Sequence, residues 1–67
     1  MSLHADLTSV LSTLEQVIER LDDAAGSVEG PERDDLLVDL YEVERHVRSA
    51  TRRLTRTLKG LDEVQSF

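Results

Sequence analysis

Two apolar heptad stripes, separated by one glycine–proline break, constrain this chain more than any other feature. Leu3, Leu7, Val10, Leu14, Val17, Leu21, Ala24 and Val28 recur with spacing 4-3-4-3-4-3-4. Leu36, Leu40, Val43, Val47, Ala50, Leu54, Thr57, Leu61 and Val64 repeat the rhythm. A period of about 3.5 residues keeps one face of a helix turned toward a neighbouring helix. The pattern predicts an all-α fold: an antiparallel, coiled-coil-like hairpin of two helices.

The break reads Gly26-Ser27-Val28-Glu29-Gly30-Pro31. It divides one domain of 67 residues into a first helix over about 3–25, a loop over 26–31 and a second helix over about 32–59. Residues 60–67 form a tail, frayed or helical. Ser2 is placed to cap the first helix, and Gly26 to take a left-handed cap at its end. Pro31 suits the first turn of the second helix, where its missing N–H costs nothing. Glu32, Asp34 and Asp35 favour the positive end of that helix dipole, and Arg52, Arg53, Arg56 and Lys59 its negative end. Gly60 is a candidate stop.

A short loop makes the helices antiparallel neighbours. Folding about the loop centre sets Leu21 near Leu36, Leu14 near Val43, Leu7 near Ala50 and Leu3 near Leu54. The chain after about residue 55 then overhangs, and Leu58, Leu61 and Val64 lack a partner within the chain. The apolar stripe is also wide, because Leu11, Ile18 and Ala25 flank it on the first helix and Leu37, Thr51 and Leu58 on the second. Three apolar positions per heptad suit a helix buried between two neighbours, as in a four-helix bundle. A chain this short buries a modest core, and with no Cys it has no disulfide to add. Oligomerisation is the staple left. The hairpin is therefore expected to form a homodimer, or a tetramer, through Leu7, Leu11, Leu14, Ile18, Leu40, Val47, Leu54, Leu58 and Leu61.

The net charge of −6 is unevenly spread. Residues 1–44 hold twelve acidic and two basic residues, whereas residues 45–59 hold six basic residues and no acid. At about 100° per residue, Arg45, Arg48, Arg52, Arg56 and Lys59 share one face of the second helix, within about 80°. Such a face is solvated, with Glu44–Arg48 as an i,i+4 pair, or it pairs with another subunit, or it binds phosphates of nucleic acid. Two antiparallel copies of the second helix crossing near Glu44–Val47 would lay acid against base twice, as a two-fold interface requires. An acidic chain weighs against nucleic acid, because the footprint of a nucleic-acid binder is normally basic overall.

Val38 and Tyr41 break the heptad pattern. With Leu37, Arg45 and Arg48 they form a patch with the composition of an interface core, a candidate surface for an unidentified protein partner; wide burial inside a bundle explains it equally. Glu42 and His46 sit at i,i+4, yet the Glu-x-x-His carboxylate set of a di-metal bundle is absent, so a surface ion pair is expected and no metal site is assigned. Thr8, Ser9, Ser12 and Thr13 read as ordinary exposed positions. No nucleophile has a base and orienting partner, and there is no phosphate-binding glycine loop, so no catalytic or cofactor-binding residue is assigned. No apolar run approaches the ~20 residues of a membrane span, and residues 1–6 lack the basic start and apolar block of a signal peptide, so a cytoplasmic protein is expected. The sequence thus points to a non-enzymatic helical interaction module, an adaptor or regulator acting as a homo-oligomer. The alternative is a nucleic-acid-associated protein using the basic 45–59 face.

Overall fold

A computed structural model of the chain describes the backbone of residues 2–65 and the side chains of residues 2–63. Two helices, α1 (Leu3–Gly26) and α2 (Arg33–Gln65), pack against each other as an antiparallel hairpin 57 Å long and 18 Å by 13 Å across. Helix α1 starts where the sequence places its cap: Ser2 is extended and its Oγ accepts from the Ala5 N–H at 3.3 Å.

The ends around the loop differ from expectation. Gly26 is the last helical residue, and Ser27 ends α1 in a right-handed conformation, donating its N–H toward Ala24 and Ala25. The left-handed position falls at Gly30, whose φ is +99°, a region that costs a residue with a Cβ strain. The Gly30 carbonyl accepts from the Arg33 N–H at 3.2 Å, and the Glu32 carbonyl accepts from Leu36 at 3.0 Å. Pro31 therefore lies in the turn leading to α2 and not within its first turn. Gly60 does not stop α2, which runs through it to Gln65. Ser66 and Phe67 lie outside the described residues.

The register is the larger correction. Asp22 pairs with Arg48, and His4 with Asp62, so residues whose numbers sum to about 66–70 lie level. Folding about the loop centre had set residues summing to 57 opposite each other. The shift removes the expected overhang of the tail: Leu58 is 8% exposed and among the most buried side chains, and Leu61 is half-buried. The side chain of Val64 lies outside the described residues. What projects instead is the start of α2, roughly 10 Å of helix beyond the end of α1. The reason lies in what each arrangement leaves wet. The projecting segment carries Arg33, Asp34, Asp35 and Asp39, which lose nothing in water, beside the exposed Leu36 and Val38, whereas a flush hairpin would strand Leu58 and Leu61 at about 1.5–3 kcal/mol each.

The seam is also rotated from the expected stripe. Leu7, Leu11, Leu14, Ile18, Leu21 and Ala25 of α1 face Leu37, Leu40, Glu44, Val47, Thr51, Leu54, Leu58 and Leu61 of α2, all buried or half-buried. The residues expected to flank the stripe thus lie at its centre. Leu3, Val10, Val17 and Ala24, with Leu36, Val43, Ala50 and Thr57, are exposed. On α1 the choice follows volume, since Leu11 and Ile18 fill a seam better than Val10 and Val17. On α2 it admits two polar residues, both satisfied: Thr51 Oγ donates to the Val47 carbonyl at 2.9 Å, and Glu44 accepts from Arg48.

Candidate interaction surfaces

Two antiparallel helices are related by an approximate two-fold axis perpendicular to the plane that holds both, so equivalent heptad positions lie on the same side of the hairpin. The two sides differ sharply in chemistry.

The polar side is marked by a shallow groove between the helices that brings together Glu15, Ile18, Arg48, Thr51 and Arg52. On the same side Glu44 occupies a seam position and is 9% exposed. Arg48, one turn on, donates to Glu44 Oε1 through Nη2 at 2.6 Å and through Nε at 3.0 Å. The same Nη2 lies 3.6 Å from Asp22 Oδ2 on α1. The guanidinium holds the Glu44 carboxyl below its ordinary range, assisted by a hydrogen bond from Asp22. Asp22 is pushed the other way, chiefly by that hydrogen bond with Glu44. Two carboxyls and one arginine thus form one hydrogen-bonded unit, with Asp22 held above and Glu44 below its ordinary range. The sequence shows this position, because Leu37, Glu44, Thr51 and Leu58 are separated by sevens, but reading Glu44 as an outer-face residue hides it.

The opposite side is apolar. Leu3 (57% exposed), Val10 (47%) and Val17 (36%) run along α1, and Leu36 (46%) and Val43 (48%) along α2. Ala24, Ala50 and Thr57 fill the gaps between them, so the stripe crosses both helices without a charge among its exposed members. Contiguous exposed apolar surface of this kind marks an association face. The residues expected to form an oligomer interface, Leu7, Leu11, Leu14, Ile18, Leu40, Val47, Leu54, Leu58 and Leu61, make the seam of the hairpin itself.

The basic face divides into two parts. Arg45 is tied to Glu42, and Arg48 to Glu44 and Asp22. Arg52, Arg53, Arg56 and Lys59 make no ion pair among the described residues, and Arg52 and Arg56 line a shallow concavity with Thr51 and Thr55. The candidate partner patch is partly dispersed. Val38 (68% exposed) and Tyr41 (56%) are open, Leu37 is half-buried in the seam, and Arg45 and Arg48 are engaged by acids.

His46 Nε2 lies 3.3 Å from Glu42 Oε1, the i,i+4 contact its spacing implies, and His4 Nε2 lies 2.8 Å from Asp62 Oδ1. Among the described residues, no group of three or more His, Cys, Asp or Glu side chains is arranged to hold a metal ion. No described helix is long and apolar enough to cross a membrane. No family model, curated protein or solved structure matches this chain.

Proposed function

We propose that this protein is a non-enzymatic helical interaction module that acts as a homo-oligomer, a dimer closing into a four-helix bundle, and serves as an adaptor or regulator of another protein. The apolar side of the hairpin carries this reading. Two helices cannot enclose a side chain, and among the described residues even the best-covered, Ala25 and Leu58, keep 8% of their surface in water. Leu3, Val10, Val17, Leu36 and Val43 are each about half exposed, so covering them with a second apolar side offers roughly 1 kcal/mol per residue. Summed over both copies, that is large beside the stability of so small a domain. Thermal unfolding followed by circular dichroism over a hundredfold range of chain concentration tests it. A dimer melts at higher temperature as concentration rises, because association draws on the folded state. A melting temperature independent of concentration overturns the reading.

Arg52, Arg53, Arg56 and Lys59 support a second reading, in which this segment contacts the phosphates of a nucleic acid. The net charge of −6 opposes it. Binding to duplex DNA and RNA that falls steeply with salt would favour it, and no binding at low salt removes it.

A further inference from the structure

Two closed arrangements bring the apolar sides of two copies face to face. With the two-fold axis parallel to the helices, α1 lies on the second copy's α2 and both loop ends sit together. With the axis perpendicular to the helices, α1 lies on α1, α2 on α2, and each loop end meets an open end. We propose the second arrangement: α2 packs antiparallel to the second copy's α2, with the axis passing near His46. This rests on the homodimer reading above and adds its geometry.

Charge decides most of the case. At the level where Asp22 meets Glu44 and Arg48, the hairpin divides into two unlike ends. The loop end, residues 22–44, carries nine acidic residues and one basic; the open end, residues 1–21 with 45–67, carries five acidic and seven basic. Parallel stacking places two strongly acidic ends against each other. Antiparallel stacking sets each acidic end against a basic one, the self-complementarity that an isologous interface needs. The partners are available: Asp39 and Arg53 are exposed and make no ion pair among the described residues, whereas Arg52 belongs to the polar side. Asp39, His46 and Arg53 follow one another at seven-residue intervals, on the turn of α2 that borders the apolar stripe on its outer edge. Antiparallel copies centred near His46 bring Asp39 beside Arg53 twice.

Shape trades one contact for another: antiparallel stacking overlaps the two α1 helices only along their loop-side halves and leaves Leu3 and Val10 past the second copy's α1, while it covers Leu36. The start of α2 projects past the end of α1 and leaves Leu36 open, whereas the other end of the hairpin is flush, with His4 level with Asp62. Parallel stacking sends both projections out at one end and leaves both copies of Leu36 wet. Antiparallel stacking lays each projection along the flush end of the other copy, where Leu36 meets the apolar stripe near Thr57.

One spin label per chain separates the two geometries. The chain has no Cys, so Asp35→Cys gives a single attachment site on an exposed position of the projecting segment. Pulsed dipolar spectroscopy of the labelled dimer is expected to read roughly 35–45 Å, from about 1.5 Å of rise per residue between the two sites along α2. The parallel arrangement places the labels at one end of the bundle, under about 25 Å apart given helix spacings of about 8–10 Å. A short distance overturns the arrangement and leaves the dimer standing. No dipolar coupling between chains at high concentration overturns both. As a second readout, Arg53→Glu with Arg56→Glu should raise the dimer dissociation constant roughly tenfold at low salt, and less at high salt. Adding Asp35→Lys and Asp39→Lys in the same chain should reverse that loss; an unchanged dissociation constant for the arginine reversals contradicts the arrangement.

Discussion

Asp22 of α1 and Arg48 of α2 meet across the seam at 3.6 Å, and the same guanidinium holds the seam residue Glu44 at 2.6 Å. A polar group at one core position of a helical pair fixes which residues lie opposite which, because sliding the helices leaves it unpaired. Here a slide of one heptad parts Asp22 from Arg48 and His4 from Asp62 together. Arg48→Met should therefore lower the melting temperature, since Glu44 and Asp22 are left facing each other without a cation. Glu44→Leu added to Arg48→Met should recover the loss, as apolar replacements of a partly buried ion pair commonly do. An unchanged melting temperature for Arg48→Met alone would contradict this role.

The pH dependence follows from the same unit. The folded protein holds the Asp22 carboxyl above its ordinary value, through its hydrogen bond with Glu44, so folding favours the protonated form. That contribution is complete below the unfolded value and is lost as pH rises through the folded one. Glu44 is lowered, first by Arg48, so its contribution is present above its unfolded value and is lost as pH falls through the folded one. Asp22→Asn keeps a donor toward Glu44 without the charge. It should raise the melting temperature at pH 7, with the gain over wild type shrinking as pH falls and wild-type Asp22 takes up its proton. A gain that grows as pH falls would contradict the assignment.

Leu58 and Leu36 test the register against the flush alternative. Leu58→Ala should cost about 2–5 kcal/mol in chemical denaturation, as expected for a buried leucine. Leu36→Ala should cost much less at low concentration, where no second copy covers it. The flush hairpin predicts the reverse order.

The heptad rhythm made the helices, the break and the antiparallel pairing legible in the sequence. It did not say which of two adjacent stripes forms the seam. Leu7, Leu14 and Leu21 belong to both, and the difference between Val10 and Leu11 at neighbouring positions is a matter of side-chain volume. Register was hidden for a separate reason. Counting outward from the loop assumes that both helices begin level, whereas the stretch from Ser27 to Glu32 lets α2 start well past the end of α1. The charges on the projecting segment favour water, although Leu36 and Val38 beside them stay exposed, and the charges were visible in the sequence as an acidic helix start. Glu44 stayed hidden because its favourable pair with Arg48 looks the same on a solvated face. The exposed apolar side appears only once the seam is assigned.

The glycines give a sharp contrast. Gly30 adopts φ +99°, so Gly30→Ala should destabilise the protein by roughly 1–2 kcal/mol. Gly60 lies inside α2 with nothing within 4 Å of an added Cβ, so Gly60→Ala should stabilise it by roughly 0.5–1 kcal/mol. Denaturant midpoints of the two variants check both signs, and a shift of the same sign in both would contradict the loop geometry.

Sedimentation equilibrium of the wild-type chain beside Val17→Glu tests the use of the apolar side most directly. Val17 stands midway along the exposed stripe of α1 and outside the seam, so the substitution leaves the hairpin's own contacts in place and puts a charge where the second copy would pack. The wild-type chain should sediment at twice its 7.6 kDa in the micromolar range, and Val17→Glu at 7.6 kDa with its helical circular dichroism retained. A wild-type chain that stays at 7.6 kDa throughout, or a Val17→Glu chain that dimerises as tightly as wild type, would contradict the account.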